Sequence, residues 1–506
     1  MKRLIVFIVT FANLVCALYI PANAQTDICI KAQVSFFFSD ESSPVPSSVS
    51  ERFGSLTQTQ LTNLSNSLYE CLWNMQESLN VSKYGFYLQK SDGNYYIDPC
   101  LVNIYSEVIA AYPYLFNTKE FQVSANSSTL KITSISPIYN ISFEEYQSRI
   151  EYCKSEIEDI ICDIPQNFSD TEKVIYIQDY IALNFAYDTR LFSSDSAQVA
   201  KAVSDMYGFF KQKVGVCQGY TAAFNAIMQR LGIESESVID RTDNHIWNIV
   251  KLEDEYYHLD CTHDDPVFTD SSGSTYDFKG LVRHTCLLLN DSEMSLQKGH
   301  SEWHTPLSFS DVICDSDKFS NASFRNIHTP LGYYNGYWYG AEALLPTTIY
   351  KLTNDFTSKE QLYSLDLNYS GSINEIKGSF ILGNCLYINS LYSVIRLNLD
   401  TLTADTLYTS DNIINTIYPY GEGYVGVVEN YDYTNSKDNK FRLKIGDINC
   451  DNSIDAIDLS SIVNYILQQP DSFFSETLSD INLDGTTNLI DLIRLKKYLV
   501  GIITVI

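Results

Sequence analysis

The strongest constraint on the fold lies near the end of the chain, where one twelve-residue pattern occurs twice. Asp447 to Asp458 reads DINCDNSIDAID, and Asp480 to Asp491 reads DINLDGTTNLID. Both copies place side-chain oxygens at loop positions 1, 3, 5, 9 and 12. In the first these are Asp447, Asn449, Asp451, Asp455 and Asp458; in the second they are Asp480, Asn482, Asp484, Asn488 and Asp491. Calcium is a hard cation that takes several oxygen ligands, and this spacing wraps a short loop around one ion. Each loop runs into an apolar helical stretch, LSSIVNYIL or LIRLKKYL. Acidic turns without an ion have no need of the same ligand spacing twice. The loops depart from an ordinary EF-hand at two points. Position 12 is Asp rather than Glu, and position 6 of the first loop is Asn452 where Gly is usual. Asn accepts positive φ better than most residues, so the turn survives.

Two loop-helix units closing a chain resemble a type I dockerin module, over Gly446 to about Gly501. The resemblance implies a module that folds on two calcium ions. It also implies docking into a cohesin module on the scaffolding protein of a cellulosome, an extracellular assembly of anaerobic bacteria. In such modules loop positions 10 and 11 help to choose the partner. Here they are Ala456-Ile457 and Leu489-Ile490, all apolar, which implies a hydrophobic contact on either of two pseudo-symmetric faces. Lys496 and Lys497 add charge at the rim.

The 506 residues favour several domains over one. Residues 1–24 read as a secretory signal: Lys2 and Arg3, then the apolar LIVFIVTFANLVCALYI, then a small-residue cleavage site at Ala22-Asn23-Ala24. A formal net charge of -28 argues against nucleic acid and other polyanions, which need clustered Lys and Arg. It suits an exported protein or one that binds calcium. Of 12 Cys, Cys16 lies in the signal, and the remainder are scattered with no C-x-x-C pair. That is no disulfide framework by spacing, and an odd remainder leaves at least one free thiol, for which Cys217 is the candidate.

The chain divides into an N-terminal α/β region (25–164), a core (165–307), a β-rich region (321–440) and the C-terminal module (446–502). Residues 25–164 carry helical spacing in QLTNLSNSLYECLWNMQESLN and FEEYQSRIEYCKSEIEDII, with a hairpin at Ser91-Asp92-Gly93 between them. No chemistry is visible there. The core opens with a helix, SDTEKVIYIQDYIALNFAYD, capped by Ser169 or Asp170 with Glu172 near its third position. The β-rich region is crowded with Tyr and turn residues. It repeats: YKLTNDFTSKEQLYS from Tyr350 aligns with IRLNLDTLTADTLYT from Ile395 at a period of 45. That period is propeller-blade length, but two to three units cannot close a propeller, so the region reads as blade-like β structure. Its tyrosines serve strand packing or a sugar- or peptide-binding face.

The core holds KVGVCQGYTAAFNAIMQRLGI, in which Cys217 meets an amphipathic helix. Tyr220, Ala223, Phe224, Ile227, Met228 and Leu231 share helical spacing, and Gly232 stops the run. A helix N-terminus, freed by Gly215, is expected to lower the thiol pKa. Downstream, NHIWNIVKLEDEYYHLDCTHDDP gives a strand from His245, a turn at Glu253-Asp254-Glu255, and a strand carrying Tyr256, His258 and Asp260 on one face. Cys on a helix start, with His and Asp on adjacent strands, has the layout of a thiol triad: Cys217 as nucleophile, His245 as proton carrier, Asp260 as its orienter. His258 is a second candidate base. For an oxyanion the backbone N–H of Cys217 is the first donor, with Gln212 or Gln218 as the second.

The motifs GVCQGY…AF, H-x-W-N-x-V and Y-Y-H-L-D-x-T resemble the transglutaminase-like superfamily in its bacterial secreted form, from about Thr171 to Trp303. The resemblance implies a papain-like α+β core and places Cys217, His245 and Asp260 on the family's triad. Ile246 and His263 depart from it, where a small residue and a Trp are usual. The whole is then an α+β multidomain chain. Its implied function is acyl transfer through a Cys217 thioester, with peptide or amide hydrolysis ahead of protein cross-linking. A non-catalytic cellulosome component with a degenerate triad is the rival reading. Calcium is the one cofactor implied.

Overall fold

The computed structural model describes residues 16–17, 28–33, 48–91, 93–118, 120–192, 202–269, 275–277, 279–342, 347–365, 378–421, 423–429 and 438–505. The expected signal segment, apart from Cys16 and Ala17, lies outside the described residues, as does Asp92 of the expected hairpin. No helix among the described residues is long and apolar enough to cross a membrane. The chain forms two compact units, one of residues 1–181, 185–262 and 286–317, the other of 182–184, 263–285 and 318–506.

In the first unit, a five-stranded antiparallel sheet runs in the order Cys16–Ala17, Ile28–Gln33, Glu120–Ala125, Ile132–Ile138, Leu79–Asn80. Helices Gln58–Trp73 and Pro99–Ala111 bury Leu61, Leu64, Leu68, Ile104 and Val108 in one core with Phe121, Val123 and Ile135 of that sheet. The first of these helices begins with a capping box between Thr57 and Gln60. It stops at Trp73, short of the apolar spacing in the sequence, because Met75 turns left-handed at φ 47 and Leu79 pairs instead with Ile135. The hairpin joins Gln89–Ser91 to Asn94–Tyr96.

Helix Phe143–Cys162 and helix Asp170–Asn184 follow, the second opened by a capping box of Ser169 and Glu172. Helix Cys217–Leu231 packs on strands Ser235–Asp240 and His245–Leu252, and Glu255–Leu259 completes their antiparallel sheet. The register is Val238 opposite Trp247 and Asn248 opposite Leu259. The turn is tighter than the sequence suggested. Glu253 takes φ 58, and Glu255 already pairs with Leu252.

Residues on both sides of position 164 fall in this one unit. A buried charge cluster joins them. Glu107 is fully buried, and Arg52 meets its carboxylate through Nε at 3.2 Å and Nη2 at 3.1 Å. Arg241 approaches it to 3.4 Å, and the Leu307 N–H donates to it at 2.8 Å. His304 Nε2 lies 3.2 Å from the same carboxylate. Burial alone would raise the Glu107 pKa, but His304, Arg52 and Arg241 outweigh it and bring it down to about 2.

Among the described residues the second unit pairs Val267–Thr269 with Thr275–Asp277 and then forms three larger antiparallel sheets in sequence: Gly332–Tyr334 to Lys359–Leu365 (four strands), Ser379–Leu382 to Ala404–Thr409 (four) and Ile414–Gly421 to Asp438–Arg442 (three). The 45-residue period extends to fine detail. A register shift falls between Ile349 and Tyr350 in the first sheet, and between Val394 and Ile395 at the same place in the second. The C-terminal helices Ala456–Ile466 and Leu489–Leu499 belong to the same unit. Ile448, Cys450, Ile462 and Leu495 share a buried core with Cys385, Tyr387, Val425 and Val427 of the sheets.

Glu107→Gln removes the anion and leaves its guanidinium partners uncompensated. The expected cost is about 3–5 kcal/mol, read as a lower urea midpoint for the first unit. The pKa of Glu107 is depressed on folding, so its contribution is complete above the ordinary value of 4.5 and is lost as pH falls toward about 2. Unfolding midpoints measured across that range should fall for the wild type, and the Gln variant should lack that component.

Candidate functional site

Helix Cys217–Leu231 starts where two glycines make room for a ring. A Cβ on Gly215 would stand 2.6 Å from Phe209 Cδ2, and one on Gly219 would stand 3.2 Å from it. Gly215 is therefore a packing requirement and not, as the sequence suggested, a source of free dihedrals; its φ is not positive. Gly232 closes the helix at φ 75.

The helix is tied to the next strand by a buried amide. Asn248 donates through Nδ2 to the Thr221 carbonyl at 3.1 Å and to Asn225 Oδ1 at 2.8 Å. Thr221 Oγ1 returns a bond to the Ile246 carbonyl at 3.0 Å. These contacts set the Cys217 end of the helix against the strand that begins at His245. The Cys217 thiol packs with Ala110, Ile239 and Ile246 and is bonded to the backbone of Ile246, one residue from His245.

His245 Nε2 lies 2.6 Å from Asp260 Oδ2. A carboxylate accepts, so Nε2 carries the proton and Nδ1 is left as the basic nitrogen. Asp260 follows the strand Glu255–Leu259 and is 1% exposed. Its backbone N–H bonds to Cys286 O at 3.0 Å, and its Oδ1 accepts the Thr262 N–H at 2.8 Å. His245 stacks on the buried Trp247 ring at 5.5 Å. His258, the other base suggested by sequence, is bonded elsewhere. Its Nδ1 accepts the Trp247 indole N–H at 3.1 Å, so its Nε2 donates to Asp291 at 2.9 Å. Burial lowers its pKa, against the Asp291 carboxylate, which raises it.

The thiol does not behave as its helix position alone suggests. Burial pushes its pKa up to about 12; bonds from the backbone of Ile246, Gln218 and Cys217 pull the other way, and the Asp260 charge adds to the rise. Desolvation of the thiolate outweighs the helix terminus. Two residues beside the site escaped the sequence reading. The Tyr187 phenol is raised by burial, then by the charges of Cys217, Asp260 and Asp188. His300, fully buried, stands with Nε2 2.9 Å from Asp260 Oδ2. Gln218 is buried in a crevice lined also by Asp205, Thr221 and Ile246, whereas Gln212 is exposed.

The two C-terminal loops have matched backbones. Cys450 and Asn452 take φ 55 and 69 in the first, Leu483 and Gly485 take 59 and 87 in the second. Asn452 thus adopts the conformation expected of it. Asp447 Oδ1 is buried with no hydrogen-bond partner among the described residues, a carboxylate oxygen that suits a cation. Asp458 is buried, and its carboxylate accepts the N–H groups of Ile448 at 2.7 Å and Asp455 at 2.9 Å; Asp491 accepts those of Asn482 at 3.1 Å and Asn488 at 2.8 Å. Ile457, Leu489 and Ile490 are exposed, as is Ala456.

Residues 164–261 match the model of the transglutaminase-like superfamily, and residues 445–500 match that of the dockerin type I domain. The chain carries both, as the resemblances in its sequence implied, and type I dockerin domains bind calcium. No curated protein matches the chain. Among solved structures the chain is similar to a TGase, at 16% identity and TM-score 0.21, covering 29% of this chain and 44% of that one. It is also similar to TolB from Acinetobacter baumannii, at 12% identity and TM-score 0.18, covering 39% of this chain and 38% of that one. A third is an arylamine N-acetyltransferase from Bacillus cereus described with a Cys-His-Glu catalytic triad, at 9% identity and TM-score 0.19, covering 51% of this chain and 93% of that one.

A thiol held near 12 is almost wholly protonated at neutral pH. Iodoacetamide should therefore alkylate Cys217 at least about a hundredfold more slowly than free cysteine. The rate, followed by mass spectrometry of the Cys217 peptide, should climb steadily with pH. Fast labelling at neutral pH would show that the thiol is less desolvated than its surroundings indicate.

Proposed function

We propose that this chain is a secreted, cellulosome-associated thiol enzyme that transfers acyl groups through Cys217, chiefly to water, as a peptidase or amidase. The observation that carries this reading is the 2.6 Å bond from His245 Nε2 to Asp260, with the His245 strand fastened to the Cys217 helix through Asn248. Asp260 holds the tautomer in which Nδ1 is basic. Because the resting thiol is protonated, its proton passes to His245 Nδ1 as sulfur attacks the substrate carbonyl. The C–N bond breaks, the leaving amine takes that proton, and a thioester remains. Water then attacks with the same nitrogen as base, the acid departs, and the thiol is restored. The backbone N–H of Cys217 is the first oxyanion donor.

The dockerin supplies attachment. Asp447, Asn449, Asp451, Asp455 and Asp458 would hold one calcium ion and Asp480, Asn482, Asp484, Asn488 and Asp491 a second, each fixing its loop on the helix that follows. Ala456, Ile457, Leu489 and Ile490 present the apolar surface for a cohesin. The expected cleavable signal supports export.

The test pairs the mature chain with its Cys217→Ala twin. Both are incubated with casein and with a glutamine donor and a fluorescent amine, in calcium. Casein cleavage lost in the twin is the expected result. Amine incorporation lost in the twin would make the chain a cross-linker. Neither activity, with equal cohesin binding by both proteins, would leave an attachment or binding component and overturn the enzyme reading.

Calcium loading is checked separately. Asp447→Ala should lose one of the calcium-binding events seen by titration calorimetry and keep the other, whereas chelation should abolish cohesin binding altogether.

A further inference from the structure

His300 lies outside every motif that marked the site in the sequence, yet the fold delivers it to the Asp260 carboxylate. The segment that carries it runs beside strand Ser235–Asp240, where Ile239 and His304 exchange backbone bonds of 3.0 Å each. The Glu302 N–H donates to Asp240 Oδ2 at 2.9 Å. So placed, the His300 ring stands edge-on to Trp247, with centroids 4.6 Å apart, and to His245, at 5.1 Å. Its Nε2 is 2.9 Å from Asp260 Oδ2, the same oxygen that takes His245 Nε2 at 2.6 Å. Its Nδ1 is 3.0 Å from the Lys298 carbonyl oxygen and its Nε2 faces the carboxylate; both oxygens can only accept, so both ring nitrogens carry protons and both donate. That anchor fixes the ring and hence where Nε2 points.

We propose that His300 is a positioning residue: from its Lys298 anchor it pins Asp260 Oδ2 where His245 Nε2 must bond, and so keeps His245 Nδ1 turned to proton transfer. This rests on the assignment of Cys217, His245 and Asp260 as the reacting set. The physical need is plain. Asp260 is a short side chain beyond the end of its strand, with Oδ1 held by the Thr262 N–H. The bond to His300 gives Oδ2 a fixed direction as well. One carboxylate oxygen then orients two imidazoles, one of them anchored to the backbone. A lapse of that orientation of order 1 Å costs up to about a hundredfold in rate.

Two substitutions separate positioning from plain packing. His300→Gln carries an amide N–H to the place of Nε2 and keeps the link to Asp260. His300→Asn carries one to the place of Nδ1 and keeps only the Lys298 anchor. Both are made in the full chain, with near-ultraviolet circular dichroism to check the fold. In the wild type labelled with 15N-histidine, the His245 Nε2–H proton should resonate far downfield, assigned by its loss in His245→Gln. It should persist in His300→Gln and shift or vanish in His300→Asn. With an active substrate, kcat should fall about 10- to 100-fold in His300→Asn with KM little changed, and His300→Gln should recover most of it. Equal behaviour of the two folded variants, in resonance and in kcat, would overturn the proposal. If Cys217→Ala and the wild type are alike in having no activity, the enzyme reading fails, and the resonance alone still decides whether His300 sets the His245 bond.

Discussion

A carboxylate with no access to water is the constraint around which the first unit is organised. Glu107 cannot remain charged in that position without partners, because an isolated buried charge costs far more than the marginal stability of a domain. Its partners come from three separate stretches: Arg52 near the start, Arg241 in the middle, and His304 and Leu307 together later. Arg52 also donates to the Thr305 carbonyl at 3.0 Å. The positions matter for the site. Arg241 begins the turn that ends at His245, and His304 with Thr305 closes the segment that carries His300. The N-terminal helices are therefore structural support for the His245–Asp260 pair and not a separate accessory to it.

That pair sits beside a thiol whose two influences oppose each other. A helix terminus with aligned N–H groups favours a thiolate, and an apolar wall of Ala110, Ile239 and Ile246 opposes it. The wall prevails because desolvating a compact anion costs more than a partial dipole returns. A buried, neutral thiol is protected from casual alkylation and oxidation, and under the proposed mechanism charge separation belongs to the reacting complex and depends on the fixed orientation of His245.

What the sequence made legible follows from where each signal lies. Periodic features were readable. The Ser169–Glu172 cap, the Cys217 helix with its Gly232 stop, and the 45-residue repeat are local patterns, and the repeat persists down to a shared register shift. The geometry of His245 with Asp260 was reachable because one hairpin joins them. His300 was not, since it stands 40 residues beyond Asp260 and reaches it through pairing between Ile239 and His304 that no local pattern announces. The role of Gly215 was misjudged for a similar reason: Phe209, the residue that needs the space, is visible only once the chain has folded back. Thiol burial is likewise a tertiary property. Ala110, which lines it, comes from a region where the sequence showed no chemistry.

The C-terminal loops show how far a near-identical pair can be made unequal by its surroundings. Arg396 occupies the place in the second β repeat that Lys351 holds in the first. Lys351 lies over the Tyr337 ring at 3.6 Å, whereas Arg396 is buried and reaches the first loop. There it meets Asp447 Oδ2 at 3.2 Å and Asn452 Oδ1 at 2.6 Å, and is held by Asp405 at 3.1 Å. Asp447 therefore has one oxygen committed to a guanidinium and the Asn452 N–H, and the other is left for a cation. In the second loop the corresponding Asp480 accepts the backbone N–H groups of Asp484 and Gly485. A neighbouring guanidinium repels an incoming ion, yet it also fixes the carboxylate that would bind it. The first loop trades attraction for rigidity in a way the second does not, and the residue responsible belongs to the β repeat, not to the loop.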